Sequence, residues 1–181
     1  EPNGHAYASE LLDQVVSLNK GIYLDDEIDN AMPSDFCIGI AGYPEKHETA
    51  PNMESDMRYL KKKVEGGADY IVTQMFFDNQ KYFDFVKICR DNDINIPIIP
   101  GIKPVTTKRQ ITLLPQLFNI DLPEALTKEL ENCKDNDQAR QIGTEWAITQ
   151  SKELMAFGVP SLHYYSMGKS TSVYEVAKEV F

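Results

Sequence analysis

Short apolar runs alternate with amphipathic helical patterns along nearly the whole chain, and this alternation restricts the fold more than any other feature. Residues 36–41 (FCIGIA), 69–74, 96–102 (IPIIPGI) and 161–166 (SLHYYS) read as strands. A helix is expected from about Tyr7, with Leu11, Leu12, Val15 and Val16 on its apolar side. Further helices are expected over 53–65, 79–91, 106 or 107 to 118, 122–133, 136–157 and 170–181. Gly66-Gly67 stops the first of these, Asp78 is placed to cap the next, and Pro123 sits near the opening turn of the helix over 122–133. Such alternation means parallel strands joined by right-handed crossovers. Four strands are too few for a closed (β/α)8 barrel, which takes roughly 250 residues. An open, doubly wound four-stranded sheet is the alternative. Yet after the loop Glu1-Pro2-Asn3-Gly4 the chain opens on a helical pattern with no strand before it. The expectation is an α/β fold of (β/α)8 TIM-barrel type, one domain over 1–181, with only the later strands and helices of the barrel present. Residues 21–34 form a polar, acidic connector, expected at the surface and mobile.

The composition suits one ordinary core: 181 residues, 42% hydrophobic and 25% charged. A net charge of −10 argues against nucleic acid or an anionic membrane as partner, because the long-range field repels phosphate. A local basic patch can still hold one small anion. The three cysteines are widely spaced with no CxxC; Cys37 in an apolar strand and Cys89 on a helix read as core thiols of a reducing, cytoplasmic setting. Three histidines, none paired with cysteine at ligand spacing, argue against zinc. No apolar run approaches the ~20 residues of a membrane span, and no signal-peptide pattern opens the chain.

Ligand sites of parallel α/β folds form beyond the C-terminal ends of the strands, and each expected strand has a candidate there. After the first comes Gly42-Tyr43-Pro44-Glu45-Lys46-His47 and a loop to Asn52, long for such a connection and rich in aromatic and titratable groups. The second ends at Gln74, followed by Met75, Phe76 and Phe77. An amide donates and accepts hydrogen bonds without titrating, so it suits a flat heterocycle better than acid–base work. It reads equally as a strand end satisfied by its neighbours. Lys103 and Pro104 follow the third strand, and Met167-Gly168-Lys169 the fourth. His47 reads either as a donor to a ligand or as a surface loop histidine. On the 53–65 helix, Asp56, Tyr59 and Lys63 share a face. The run Arg58, Lys61, Lys62 and Lys63 reads as a phosphate contact or as a solvated charged face. That helix starts beside the His47 loop, and helix N-termini attract phosphate. No GxGxxG, P-loop or GxSxG pattern occurs. A Schiff-base lyase or aldolase is disfavoured because Lys103 and Lys169 lie past strand ends. A non-catalytic, ligand-binding half-barrel stays open.

Three motifs occur in order: GYPEKH at 42–47, KKKVEGGADYIVTQMFFD at 61–78 and IPIIPGIKP at 96–104. With Tyr7-Ala8-Ser9 near the start, they resemble the methylenetetrahydrofolate reductase family over essentially the whole chain. The resemblance implies a (β/α)8 flavoprotein that binds FAD. In that family hydride passes from NADH or NADPH to the flavin, and then to 5,10-methylenetetrahydrofolate, giving 5-methyltetrahydrofolate. Residue by residue, it implies FAD contacts at Tyr7 and Ala8, ribityl or pyrophosphate contacts at Tyr43 and His47, and nucleotide-end contacts at Asp56, Lys62 and Lys63. It implies that Gln74 meets folate and nicotinamide, that Gln110 and Lys169 touch folate, and that Leu114 lines the substrate pocket. Tyr59 departs from the family pattern, in which Asn contacts FAD. Lys62 stands where Arg occurs, keeping the charge but losing the bidentate fork. The family's general acid, a glutamate on the first strand, and an Arg-Gly-Asp segment are implied upstream of Glu1. No residue of 1–181 is then catalytic. A homo-oligomer is expected, as is common in the family.

Overall fold

The computed structural model describes residues 4–25 and 27–181; the expected loop at 1–3 and residue 26 of the connector lie outside the described residues. In chain order the elements are α1 (Ala8–Asn19), β1 (Gly39–Gly42), α2 (Met53–Glu65), β2 (Tyr70–Met75) and α3 (Asn79–Asp91). Then come β3 (Ile98–Ile102), α4 (Gln110–Phe118), α5 (Glu124–Asn132), α6 (Asn136–Phe157), β4 (His163–Tyr164) and α7 (Thr171–Val180). The helices α2, α3 and α6 span the residues their periodicity marked. Each is opened by a side-chain cap: Asn52 Oδ1 accepts from Ser55 N, Asp78 Oδ1 from Gln80 N and Asp135 Oδ1 from Gln138 N.

The strands form one open, parallel sheet in the order β1-β2-β3-β4. Each pairs with its sequence neighbour, so right-handed crossovers step always in one direction. A doubly wound sheet reverses direction at a switch point. This sheet has no reversal, and the doubly wound alternative falls.

Two cores fill the molecule. The first packs Met57 and Leu60 of α2, Phe85 and Cys89 of α3, Leu154 of α6 and Val176 of α7 on Ile71, Ile98 and Ile102 of the sheet. The second gathers Met75, Phe77, Val105, Leu114, Leu126, Leu130 and Ala139 beyond the C-terminal ends of β2 and β3. There α6 lies flush on the chain: a Cβ at Gly143 would sit 2.1 Å from the Val105 carbonyl oxygen, so only glycine permits the approach.

Several boundaries differ from the sequence reading for identifiable reasons. β1 starts at Gly39 rather than residue 36, because side chains capture the backbone ahead of the ladder. Asn19 Oδ1 accepts from Phe36 N, Asn19 Nδ2 donates to Phe36 O, and Asp69 Oδ2 accepts from Ile38 N. Cys37 therefore lies exposed outside the strand and is no core thiol, whereas Cys89 and Cys133 are buried. α4 starts at Gln110 rather than Thr106 or Thr107. Gln110 Oε1 reaches back to accept from Thr106 N at 2.7 Å and Thr107 N at 3.4 Å, which holds the two threonines in a turn ahead of the helix. β4 shortens to two residues, since only Gly101↔His163 and Ile102↔Tyr164 pair. The described part of the connector is at the surface, with Leu24 and Met32 exposed. No helix among the described residues is long and apolar enough to cross a membrane.

Candidate functional site

A cavity of about 630 Å³ opens between α1, β1 and α2, roofed by the loop from Tyr43 to Pro51. The sequence marked seven residues as cofactor contacts, and all seven line it: Tyr7, Ala8, Tyr43, His47, Asp56, Lys62 and Lys63. They arrive from three distant segments. α1 presents Tyr7 and Ala8 at its start, where Glu10 Oε2 holds Ala6 N at 2.7 Å and Tyr7 N at 3.2 Å. β1 is an edge strand, and the loop leaves from its C-terminal end. α2 offers one face, with Asp56, Tyr59 and Lys63 all on the cavity wall as their spacing required.

The loop and α2 are tied together. Asp56 Oδ2 accepts from His47 N at 2.8 Å. Thr49 donates from its backbone N at 3.2 Å to His47 Nδ1, with its hydroxyl 2.9 Å from the same atom. A backbone N–H can only donate, so Nδ1 is an acceptor and the neutral ring carries its proton on Nε2. The expected role of His47 as a donor thus falls to Nε2. The Tyr43 ring meets the His47 ring edge to face at 4.5 Å. Burial, and then the Asp56 carboxylate, push the Tyr43 phenol above its ordinary value. Burial lowers the Lys63 ammonium while Asp56 partly restores it, and Lys63 Nζ donates to the Ala41 carbonyl at 3.3 Å. Lys62 is exposed on the rim, with its Nζ 6.0 Å from the centre of the Tyr59 ring and Arg58 5.7 Å from it. The wall is thus apolar at Leu11, Leu12 and Ile38, and hydrogen-bonding and cationic at Tyr43, His47, Lys62 and Lys63. That donor set suits a flat aromatic group carrying an anionic chain.

The residues marked as substrate contacts lie elsewhere. Gln74 follows the Gly42↔Thr73 pair, level with Tyr43 at the C-terminal end of the sheet. Its Oε1 accepts from Met75 N at 2.9 Å, which leaves the Nε2 donors for another partner. It sits in a β-bulge: Val72 pairs Ile99 but Met75 pairs Gly101. Bulges re-aim side chains near functional sites. Thr73 Oγ1 accepts from Gly101 N at 2.9 Å, and the Tyr165 hydroxyl donates to Thr73 O at 2.9 Å. Burial, and then the nearby Tyr43 phenol, raise the Tyr165 phenol above its ordinary value. Gln110 sits at the start of α4 with its oxygen spent on Thr106 and Thr107. Leu114 is packed in the second core at 2% exposure rather than facing open space. Lys169 is exposed after the positive-φ turn at Met167 and Gly168. Lys103 is 3% exposed, its Nζ donates to Pro104 O at 3.1 Å, and burial lowers its basicity.

The sequence reading missed three arrangements here: the bulge, the Tyr165 bond and the fastening of the loop by its own side chains. The first two join separate strands or their ends. The third had a signal only in the unassigned Glu45 and Lys46 of the GYPEKH motif.

Comparison with known proteins agrees with the motifs. The family model described as methylenetetrahydrofolate reductase matches residues 4–180. A probable methylenetetrahydrofolate reductase (NADPH) of Caenorhabditis elegans is 37% identical, over 80% of this chain and 22% of its own length. Methylenetetrahydrofolate reductase (NADH) 1 of Arabidopsis thaliana is 40% identical, over 76% of this chain and 25% of its own length. The chain thus spans about a quarter of these two relatives. A solved structure is similar in fold at a TM-score of 0.57 and 21% identity, covering 81% of this chain and 52% of that one. It is an uncharacterized protein from Clostridium thermocellum that binds two copies of 5-methyl-5,6,7,8-tetrahydrofolic acid. With a family match across nearly its whole length, the chain belongs to the methylenetetrahydrofolate reductase family.

Proposed function

We propose that this chain forms the later part of a (β/α)8 barrel that binds FAD and reduces 5,10-methylenetetrahydrofolate to 5-methyltetrahydrofolate at the expense of NADH or NADPH. The observation that carries the reading is the convergence of Tyr7, Ala8, Tyr43, His47, Asp56, Lys62 and Lys63 on one cavity. The single direction of strand order supports the barrel, in which a further strand would pair with the free edge of β1. FAD supplies two-electron transfer between a nicotinamide and a folate.

The residues divide the work by their chemistry. His47 Nε2–H and the Tyr43 hydroxyl suit the ribityl and pyrophosphate oxygens. Lys62 and Lys63 supply positive charge for phosphate in an otherwise acidic protein, Lys63 more strongly because it is partly desolvated. Asp56 holds the loop on α2 and balances Lys63. Gln74 presents its Nε2 donors to whichever heterocycle, folate or nicotinamide, lies over the strand ends. Gln110 and Lys169 would meet the folate side, while Leu114 stays enclosed in the second core. These roles bind and orient; none moves a proton. A reducing cytoplasmic setting and a homo-oligomer complete the proposal, the former supported by the free thiols Cys37, Cys89 and Cys133. The relatives' names give NADPH in one case and NADH in the other, so either nicotinamide fits the reading.

The test is an absorbance spectrum of the whole purified protein with FAD added and the excess removed. A retained flavin band that bleaches with NADH or NADPH and recovers with methylenetetrahydrofolate is expected. A colourless protein ends the reading.

A further inference from the structure

We propose that Lys46 is the positioning residue of the cavity roof, its ammonium acting as an internal cation around which residues 47–50 fold. The inference rests on the FAD reading only for what the roof is shaped to hold. Lys46 has φ 80°, a region that residues with a side chain rarely adopt unless their surroundings hold them there. The holding force is visible. Lys46 Nζ donates to the carbonyl oxygens of Ala50 at 2.7 Å, His47 at 2.9 Å and Glu48 at 3.4 Å. Three neutral carbonyls converge on one ammonium, as they would on a bound alkali cation. Hydrogen bonds from a charged donor are the stronger kind.

The cage is interlocked with the side chains that face the cavity. The His47 carbonyl that accepts from Lys46 Nζ also accepts from Ala50 N at 3.1 Å. Within the same turn Thr49 fixes His47 Nδ1, and the His47 N–H is held by Asp56. Lys46 N donates to Tyr43 O at 3.1 Å, and the Tyr43 ring abuts His47. Without the ammonium, three carbonyls turned toward one point lose their common donor. The turn that carries His47 on the cavity wall then opens. A preorganised wall gives affinity that a mobile one spends on ordering.

Four variants of the whole purified protein test the proposal. Lys46→Met is expected to weaken FAD binding about tenfold or more and to speed amide exchange at residues 47–50, with the global unfolding midpoint little changed. Lys46→Arg restores part of both. Lys46→Ala recovers FAD affinity when ethylammonium is added but not when tetramethylammonium, which has no N–H, is added instead. Lys46→Gly relieves the backbone strain while removing the cation, so it too must bind FAD more weakly. Parent-like affinity and exchange in Lys46→Met overturn the proposal, as does tighter binding in Lys46→Gly. A loss in Lys46→Ala that ethylammonium leaves untouched, or that tetramethylammonium repairs equally, also overturns it. If the parent binds no FAD, the flavin reading fails by itself, and amide exchange at 47–50 still decides whether Lys46 holds the roof.

Discussion

The Tyr165 hydroxyl donates to the Thr73 carbonyl oxygen at 2.9 Å, a bond between residues 92 positions apart in the chain. It lies at the irregular step between β2 and β3 that contains Gln74. Tyr165→Phe removes the donor and leaves a buried carbonyl short of a partner, at a cost of about 1–3 kcal/mol. The expected result is a lower urea midpoint by that amount. Binding of the folate substrate weakens with it, while FAD affinity holds, since Tyr165 is not part of the cavity wall. An unchanged midpoint would show that the Thr73 Oγ1 bond to Gly101 N holds the bulge unaided.

Gly101 tests the same step from the opposite strand. A Cβ there would lie 2.3 Å from the Thr73 carbonyl oxygen and 2.6 Å from Cε2 of the Tyr165 ring. The first neighbour is backbone and cannot swing aside. Gly101→Ala is expected to destabilise by about 1–3 kcal/mol through overpacking, or to fail to accumulate as folded protein. Thermal unfolding measures the loss. A tolerated alanine would mean that β3 can slide on β2, against the register described.

Gln74→Glu separates the two ends of the amide. Glutamate keeps an oxygen for Met75 N, so the local bond survives. It loses the Nε2 donors and adds a charge. Equilibrium titrations are expected to show weaker folate binding with FAD affinity retained. Loss of FAD binding alone would contradict the role given to Gln74.

Glu45 ties the roof loop to distant elements and gives the fold a pH dependence. Its side chain is only 9% exposed. Oε2 accepts from Asp121 N at 3.1 Å, Lys81 Nζ lies 4.0 Å from Oε1, and Oε1 has no hydrogen bond. Burial raises the carboxyl above the usual range; the Asp121 and Asp78 charges add to that, while the Asp121 N–H and Lys81 oppose it. The folded state therefore holds the proton more tightly than the unfolded chain. Its contribution to stability is fully present below the ordinary carboxylate value and is lost as pH rises through the raised one. Glu45→Gln keeps an acceptor for Asp121 N and removes the charge. Urea midpoints taken from about pH 4 to 8 should show a flatter slope in the variant across that window, with higher stability above it. A variant slope identical to the parent's would place the titration elsewhere.

Helical periodicity, which acts within a few residues, was legible. The periodicities of α2, α3 and α6 and the Asp78 cap of α3 lie within one or two turns of the backbone they organise; the caps Asn52 and Asp135 were not read from the sequence. The start of β1 was misjudged because Asn19 and Asp69, both outside the strand, capture the backbone ahead of it. Gln110 was marked as a ligand contact, yet its oxygen serves the turn before α4. The residues that the resemblance marked as cofactor contacts line one cavity. Nothing in their spacing joined Tyr7 to Lys63 across the connector, or showed that Leu114 would be enclosed by Phe77 and Leu126.

By itself the sequence determined that strands and helices alternate, where the long helices begin, and which side chains gather at the C-terminal ends of the strands. These follow from side-chain periodicity and capping, which are short-range. Tertiary structure alone decided the one-way strand order, the bulge that sets Gln74, the Tyr165–Thr73 bond and the tie of the roof loop to α2 through Asp56. All four depend on how crossovers and packing bring separate elements into register.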